Sequence, residues 1–292
     1  MAQPHIRSFF DPATNAVSYL VADPATGEAA AIDPVLDYDS ASGRVETRSA
    51  DALLAAAKAE GWPVTMLLET HVHADHLTAA YYLKARTGAW IGIGAEVDAV
   101  LDAFAPDFGL DPAEARQCFD RLLKDGESIA LGELSIAVIA TPGHTPACVS
   151  YRIGDAVFVG DTLFMPDYGT ARCDFPGGSA RTLHGSIARL MALPPETRLY
   201  LCHDYKAPGR DQFAWETSVA DQRAANVHLA GKSADEFIAM RESRDATLSA
   251  PKLLLPALQV NLRAGRLPAP EHGQRSLRIP LGLPADYPAG AA

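Results

Sequence analysis

Three histidines and an aspartate lie within six residues of this sequence, at His71, His73, Asp75 and His76. Imidazole nitrogens and carboxylate oxygens are the groups with which proteins hold zinc or iron. Histidine is otherwise scarce, with 9 in 292 residues, so this density argues against the alternative of a solvated polar loop. The segment therefore predicts a metal site.

The residues on either side indicate where this cluster lies in the fold. Residues 64–69 are mainly apolar and have the length of a buried strand. Residues 77–84 have apolar side chains at helical spacing, so a helix is predicted to start at the cluster, with Asp75 and His76 in its first residues. The end of a buried strand is where an open α/β sheet usually has its chemistry.

The spacing within the cluster predicts two sets of ligands. His71 and His73 are two residues apart, so their rings would point the same way from an extended segment. Asp75 and His76 would point elsewhere because they belong to the start of the helix. The two sets would lie on opposite sides of a shared space.

Three further side chains of ligand type follow predicted strands in the same way, and they are His144, Asp161 and His203. His144 lies in a turn with two prolines and one glycine, a composition that makes the turn rigid. Asp161 and His203 come directly after apolar segments of strand length. A single histidine at a strand end is more often structural, but this repeated arrangement predicts that strand ends converge on a metal.

Apolar periodicity and turn signals predict a mixed α/β chain, with two sheets and helices outside them. Strands are predicted at 5–10, 16–21, 28–33, 64–69, 89–93, 128–131, 134–139, 148–153, 156–160 and 199–202. Helices are predicted from a cap at Ser49 to Gly61, from residue 77 onwards, from 215 to 229, and from a capping box of Ser233 and Glu236 to about 243. A polar loop is predicted at 36–48, and short helices with a lid-like loop are predicted at 95–118.

The sequence contains no linker and no internal repeat, so residues 1–292 are predicted to be a single domain. Residues 230–292 would be a helical and then extended extension packed on it. Residues 264–292 are rich in proline and glycine, which predicts an extended tail. We expect a homodimer, because a tail without its own core often docks on a neighbouring chain.

The net charge of −11 argues against a sequence-independent grip on nucleic acid or on anionic lipid, since both need clustered lysine and arginine. No apolar stretch approaches the roughly 20 residues that span a bilayer, and no secretory signal is visible. The four cysteines are scattered without a CxxC pair, which is typical of reduced thiols. We therefore expect a cytoplasmic protein without nucleic-acid or membrane partners.

Taken in order, these ligands resemble those of the metallo-β-lactamase superfamily, over about residues 15–205. The resemblance implies an αββα sandwich, with two mixed β-sheets flanked by helices and the site at one edge. It also implies two neighbouring metal positions. The first set would be His71, His73 and His144, and the second would be Asp75, His76 and His203, with Asp161 able to touch both.

A closer resemblance is to the persulfide dioxygenases, or sulfur dioxygenases. It rests on residues 169–178, on the triplet 203–205, and on residues 251–253 and 261–265. The sequence most resembles the longer bacterial branch. It departs from the mitochondrial-type branch by inserted residues before Arg172, by Cys173 in place of threonine, and by a longer tail. The resemblance implies that glutathione persulfide, O₂ and water give sulfite and glutathione at one Fe²⁺ per chain.

In this resemblance the iron ligands would be His71, His144 and Asp161. Two imidazoles and one carboxylate on one face of Fe(II) leave positions open, one for the substrate sulfur and one for O₂. The groups around them, either orienting the ligands or forming a second site, would be His73, Asp75, His76 and His203.

Asp75 and Tyr205 are the predicted catalytic residues: Asp75 would orient a ligating imidazole, and Tyr205 would offer its hydroxyl to sulfur or oxygen. Arg172, Cys173 and Tyr205 are predicted to contact the substrate, with Arg172 gripping a glutathione carboxylate. Each has an alternative. Arg172 would instead pair with Asp174, Cys173 would be a packed thiol, and Tyr205 would be a half-buried residue at a strand edge.

Two other functions stay open. With both positions filled by zinc or iron, a bridging water would be activated, and the chain would hydrolyse glutathione thioesters, as the resemblance to glyoxalase II implies. The cofactor would then be one or two Zn²⁺ or iron ions. A non-catalytic metal- or thiol-binding module is the third interpretation, and the complete ligand sets argue against it. The segment 172–178 and the triplet 203–205 favour the dioxygenase.

Overall fold

The centre of the protein is built from strands whose apolar side chains alternate between two buried faces. In the strand Ala29–Ile32, Ala29 and Ala31 lie on one face, while Ala30 and Ile32 lie on the other. Such a strand needs cover on both sides, because burying apolar area stabilises the fold by about 25 cal/mol per Å². The computed structural model describes residues 3–282, and in it a second sheet covers one face and helices cover the other.

Fifteen strands and eight α-helices are formed by residues 3–282. The strands are β1 (His5–Asp11), β2 (Ala16–Ala22), β3 (Ala29–Ile32), β4 (Val35–Asp39), β5 (Arg44–Glu46), β6 (Val64–Leu68), β7 (Leu77–Thr78), β8 (Trp90–Gly94), β9 (Arg121–Leu123), β10 (Ser128–Leu131), β11 (Leu134–Ala140), β12 (Val149–Ile153), β13 (Ala156–Phe158), β14 (Arg198–Tyr200) and β15 (Glu216–Ser218). The helices are α1 (Arg48–Glu60), α2 (Ala80–Thr87), α3 (Val97–Phe104), α4 (Pro112–Arg116), α5 (Ala180–Met191), α6 (Val219–Ala225), α7 (Ala234–Asp245) and α8 (Leu254–Asn261).

The strands form two mixed six-stranded sheets and one small sheet. The first sheet has the order β1-β2-β3-β6-β8-β9, antiparallel up to β3 and parallel from there. The second has the order β10-β11-β12-β13-β14-β15, antiparallel except for the parallel pair of β13 and β14. The small sheet has the order β5-β4-β7.

Three apolar clusters define the layers. The first, between the two large sheets, contains Tyr19 of β2 and Phe158 of β13. The second lies outside the first sheet and includes residues of α1, α2, α3 and α8. The third lies outside the second sheet, where Leu183 of α5 and Phe237 of α7 are both buried. The predicted αββα sandwich is therefore confirmed.

Two predictions next to the histidine cluster are wrong. The polar segment 36–48 contains β4, β5 and the start of α1, because Asp37 and its neighbours pair as a hairpin. Leu77 and Thr78 form β7, which pairs with β4, so α2 begins only at Ala80. Asp75 and His76 therefore lie in an irregular loop outside the helix, because tertiary pairing of β7 overrides the helical spacing of this segment.

Two helix starts also differ from prediction. Thr47 precedes α1, and the hydroxyl of Ser49 donates instead to Asp37 Oδ1 at 2.9 Å. The helix predicted at 215–229 begins as strand β15, which pairs with β14, and α6 starts at Val219. By contrast, the predicted capping box of Ser233 and Glu236 opens α7.

The C-terminal residues continue from α8 without a further helix up to residue 282, and the remainder of the predicted tail, 283–292, lies outside the described residues. Within residues 3–282, no helix combines the length and the apolar character needed to cross a bilayer.

Candidate metal centre

The predicted ligands meet because strands from both large sheets end at one edge. In the second sheet β12 runs antiparallel to β11 and β13, and β14 runs parallel to β13. The strands β11, β13 and β14 therefore run in the same direction, and the segments after them carry His144, Asp161 and His203. The segment after β6 joins them, since Val149 N donates to the carbonyl of Thr70 at 2.9 Å.

His71, His144 and Asp161 form the first set of donors. Oδ2 of Asp161 lies 3.9 Å from Nε2 of His71 and 3.8 Å from Nε2 of His144. Two ligands that each lie 2.0–2.2 Å from one ion are at most about 4.4 Å apart. All three side chains are buried, and the geometry fits one shared cation.

Hydrogen bonds to the far side of each imidazole fix which nitrogen faces this set. Nδ1 of His144 lies 2.8 Å from the carbonyl of Arg172, which only accepts, so Nδ1 carries the proton and Nε2 keeps its lone pair. Nδ1 of His71 lies 3.0 Å from Oγ1 of Thr70, whose own proton goes to Asp33 Oδ2 at 2.9 Å. His71 is therefore also protonated at Nδ1, as in many metal-binding histidines.

Two glycines allow the backbone to approach closely here. Gly143, immediately before His144, has φ of +136°, and a Cβ added there would lie 2.4 Å from the Cα of Leu183 in α5. Gly160, immediately before Asp161, has φ of +53°, and its added Cβ would lie 2.6 Å from Oγ1 of Thr70. A side chain at either position would displace the ligand that follows it.

His73 belongs to a different set from His71, although the two rings are 4.1 Å apart. Its Nε2 lies 3.0 Å from Oδ1 of Asp33. The superfamily resemblance implied a first set of His71, His73 and His144, but Asp161 completes that set in the structure, because His73 is turned towards the carboxylate of Asp33.

The second set brings together donor atoms of His73, Asp75, His76 and His203. Nε2 of His203 lies 3.2 Å from Oδ2 of Asp75 and 3.5 Å from Oδ1 of Asp161. Asp161 thus stands between the two sets, one carboxylate oxygen towards each. The spacing within the cluster predicted two sets but placed His73 with His71, whereas the resemblance to persulfide dioxygenases implied the grouping that the structure contains.

The electrostatics of the two sets differ. Burial lowers the pKa of His71 well below its ordinary value, and His73 and His144 lower it further, so the ring is a neutral donor at pH 7. Burial has the same tendency at His203, but there the carboxylates of Asp75 and Asp161 raise the pKa well above the ordinary value. His203 therefore attracts a proton, whereas His71 does not.

Tyr205 and Asp75 lie in contact at the second set, and both line the cavity onto which the first set opens. The hydroxyl of Tyr205 donates to Oδ2 of Asp75 at 3.2 Å, and its ring stacks on His203 with the ring centroids 5.4 Å apart. Although 36% of the residue is exposed, burial of the hydroxyl end and the charge of Asp75 raise the pKa of Tyr205 well above its ordinary value. The phenol therefore keeps its proton and acts as a donor.

A cavity of about 550 Å³ opens onto the first set and is lined by Tyr205 and Arg172 as well as the ligands. The guanidinium of Arg172 is occupied: Nε and Nη2 donate to Asp174 at 2.6 and 2.5 Å, and Nη1 donates to the carbonyl of Ser249 at 2.8 Å. The alternative interpretation of Arg172, a pair with Asp174, is thus the one that the structure contains.

Cys173 packs in the core outside the second sheet, with Leu183 and Phe237. Its backbone N–H donates to Oδ2 of Asp245 at 2.8 Å, and burial raises the pKa of the thiol to about 12. This location corresponds to the predicted alternative of a packed, protonated thiol and separates Cys173 from the cavity that its substrate role requires.

Comparison with known proteins places this geometry in a family. The family model described as the metallo-beta-lactamase superfamily matches residues 12–203, the span that carries both donor sets. The chain belongs to the metallo-β-lactamase superfamily. The predicted resemblance is thereby confirmed.

Relatives within this superfamily carry different names. A Burkholderia pseudomallei protein named as a probable metallo-hydrolase is 56% identical over 290 residues, covering 94% of this chain and 98% of the relative. The human mitochondrial persulfide dioxygenase ETHE1 is 30% identical over 263 residues, covering 89% of this chain and 88% of the relative. The crystal structure of ETHE1 from Myxococcus xanthus is 34% identical, with a TM-score of 0.72, covering 90% of this chain and all of the other.

Sequence reasoning missed two residues that hold the superfamily's histidine loop. Asp33 follows strand β3, and so satisfies the same rule of a polar residue after a buried strand. Asn261, at the end of α8, donates from Nδ2 to the carbonyls of His73 and His76 at 2.8 and 2.7 Å, and its Oδ1 accepts from Thr78 N at 2.9 Å. No local pattern marks Asn261, because its partners lie more than 180 residues away.

We predict that Asn261→Ala loosens the loop and weakens metal binding. Three backbone groups would lose their partner inside the protein, at a cost of about 1–3 kcal/mol for each that stays unsatisfied. Outer contacts of this type commonly change metal affinity by about 10–100-fold. The measurement is metal retained per chain during dialysis against graded chelator.

Asn226→Ala is the matched control, because Asn226 is equally buried and its carboxamide binds the carbonyl of Gly169 and the side chain of Gln222 instead of the loop. Both variants should unfold at lower temperature, but only Asn261→Ala should release metal more readily. Equal retention in the two variants would contradict the positioning role of Asn261.

Proposed function

We propose that the chain is a persulfide dioxygenase, which converts glutathione persulfide, O₂ and water to sulfite and glutathione at one Fe²⁺. The observation that carries this proposal is the first donor set. The imidazoles of His71 and His144 and the carboxylate of Asp161 face one point beside an open cavity. This ligand combination with open positions is typical of non-haem Fe(II) oxygenases.

Buried atoms of the second donor set, beside this point, fit a further cation there, which the second candidate function below uses. Within residues 3–282, Oδ1 of Asp161, Nε2 of His76 and both ring nitrogens of His203 are buried without a hydrogen-bond partner. An unsatisfied buried polar group costs about 1–3 kcal/mol, so several of them in one place fit a site that a cation completes. Iron bound by the first set would supply open positions for the substrate sulfur and for O₂.

The residues around the site would handle protons and orient the substrate. The hydroxyl of Tyr205 donates to Asp75 in this structure, and with substrate bound it would turn that hydrogen bond to the substrate sulfur or to oxygen. The sulfane sulfur is oxidised to sulfite and O₂ is reduced, while the second sulfur leaves as the thiol of glutathione. The apolar walls given by Phe164 and Phe175 would restrict water near the reacting sulfur.

Two other cations at the cavity suit a glutathione carboxylate better than Arg172 does. Arg244 and Lys252 both line the cavity, and neither lies within 4.0 Å of a carboxylate among the described residues. Arg172 is already paired with Asp174. We therefore assign substrate carboxylate binding to Arg244 and Lys252, with Arg172 fixing the carbonyl that orients His144.

We also propose that the chain is a single domain with a C-terminal extension packed on it. Residues 230–282 pack on both outer layers, with Phe237 of α7 in one apolar cluster and Leu258 of α8 in the other, as expected of an extension of a single domain. A homodimer and a cytoplasmic location are further expectations.

The second candidate function is hydrolysis of a glutathione thioester by two metals. The observation that favours it is the second donor set, since Asp161 directs one oxygen to each set and could bridge two ions. The two sets would hold the metals, which would supply an activated water for cleavage of the thioester to glutathione and an acid. The hydrolase name of the Burkholderia pseudomallei relative agrees with this alternative.

Metal content and two assays on the same preparation separate these functions. We predict one iron per chain, oxygen consumption with glutathione persulfide, and negligible cleavage of lactoylglutathione. Asp161→Ala should lose both iron and oxygen consumption, whereas Asp102→Ala, at an exposed position of α3, should lose neither. Two metals per chain with fast thioester cleavage would overturn the dioxygenase in favour of the hydrolase.

We also predict that replacing Arg244 and Lys252 by Met raises KM for glutathione persulfide with little change in kcat. Each charged contact contributes about 1.5–3 kcal/mol, so kcat/KM should fall at least about tenfold. Arg189→Met with Lys58→Met removes the same charge at exposed positions on α5 and α1 and should leave KM unchanged. A fall in kcat alone, or an equal effect in the control, would refute this assignment.

A further inference from the structure

A second cavity of about 840 Å³ lies on the outer surface of the first sheet's helical layer. Its walls are α2, the segment 109–118 and the C-terminal residues 263–275, with β5 at its rim. As formed by residues 3–282, it has no lining residue in common with the cavity at the metal centre. The proposed dioxygenase activity makes no use of it.

Four arginines line this cavity, in a chain whose net charge is −11. They are Arg86, Arg263, Arg266 and Arg275. None of them has a carboxylate within 4.0 Å among the residues that the structure describes, whereas Arg198, Arg210 and Arg241 elsewhere are all paired. The lining includes only two carboxylates, Asp111 and Glu114, and Asp111 is engaged by the N–H of Ala113 at 2.8 Å.

Two of the guanidinium groups are held by aromatic rings. Arg86 lies 3.5 Å above the ring of Tyr82, whose hydroxyl donates to Asp51 at 2.5 Å. Arg266 lies 5.3 Å from the centre of the Tyr81 ring. A stacked guanidinium keeps its N–H groups available at its edge, which is the arrangement that binds the oxygens of an oxyanion in pairs.

The arginines also lie close enough to affect one another. Burial lowers the pKa of Arg263, and the neighbouring charge of Arg266 lowers it further. Leu36, Leu110 and Leu267 add an apolar wall beside the arginines. A cavity of a few hundred Å³ or more with convergent polar groups and apolar walls is typical of a small-molecule site.

We propose that this cavity is a binding site for a small organic phosphate that carries at least two negative charges, such as a nucleoside diphosphate. Its phosphate oxygens take the N–H groups of Arg86, Arg263 and Arg266, and its uncharged part lies against the leucine wall. The occupant is recognised by charge and shape, independently of the metal centre.

Cys118 provides a local reporter of occupancy. It lines the cavity and is partly exposed, while the other three cysteines, Cys148, Cys173 and Cys202, are buried. A ligand seated among the arginines covers the Cys118 thiol and slows its alkylation. Iodoacetamide labelling, followed by mass spectrometry of the Cys118 peptide, therefore measures binding at this cavity without any use of enzyme activity.

The test combines this labelling with calorimetric titration of the metal-loaded protein by ADP and by pyrophosphate, at constant ionic strength. ADP should bind saturably and slow Cys118 labelling at least fivefold. The double variant Arg86→Met with Arg266→Met should weaken binding at least tenfold and abolish protection. Pyrophosphate binding with equal affinity would identify phosphate alone as the recognised group.

Two controls make the outcome decisive. The first control is the double variant Arg189→Met with Arg121→Met, which loses the same amount of charge. The two arginines are paired with Asp125 and Glu127, respectively, and this variant should bind ADP as the parent does. The double variant Arg86→Lys with Arg266→Lys preserves the charge and should keep part of the affinity for ADP. It replaces the double Met variant in the test if that variant folds poorly. Absence of saturable binding and of protection in the parent, or equal weakening in the paired-arginine control, would overturn the proposal.

Discussion

The carboxylate of Asp33 determines how the histidines of this site are divided. It is almost completely buried and accepts hydrogen bonds from the backbone N–H and the hydroxyl of Thr70, at 2.7 and 2.9 Å, while Nε2 of His73 lies 3.0 Å away. Burial opposes its ionisation, but His73 and Thr70 keep the pKa of Asp33 below its ordinary value. Through Thr70 it directs Nε2 of His71 to the first donor set, and through the direct contact it removes His73 from that set.

This division depends in turn on the sandwich. Asp33 can reach Thr70 only because β3 and β6 are parallel neighbours, with Ile32 beside Leu68 at their ends. His144, Asp161 and His203 reach the same space because β11, β13 and β14 end at one edge of the second sheet. The central strands of both sheets, among them β2, β3 and β13, are buried on both faces. The apolar core therefore fixes where these strands end, and with them the positions of the donor residues.

The sequence was sufficient to find the donor residues because each follows a short apolar strand, and that local pattern survives folding, but the spacing alone assigned His73 to the wrong set. It was insufficient where partners are distant. Leu77 and Thr78 have helical spacing with α2 but pair with β4 instead, so the loop of Asp75 and His76 is held by β7 and Asn261. The local periodicity of side chains does not predict which distant strand a segment pairs with. The same reason hid Asp33, whose role depends on the neighbour that β3 acquires in the sheet.

Charge pairing was the other limit of sequence reasoning. For Arg172 the sequence left two roles open, a substrate contact and a pair with Asp174, and the structure contains the pair and shows that the Arg172 carbonyl orients His144. The arginines around Cys118 are scattered along the sequence, so the sequence did not mark them as a site. They come together only because α2 and the C-terminal residues form one cavity.

We propose that His71, His144 and Asp161 hold one iron with part of its coordination sphere open to the cavity. Anomalous diffraction at the iron absorption edge, from crystals of the protein as purified, tests it most directly. We predict a single peak about 2.0–2.3 Å from Nε2 of both histidines and from the nearer carboxylate oxygen of Asp161, with no protein atom on its cavity side. Two peaks, or a single peak among His73, His76 and His203, would contradict it.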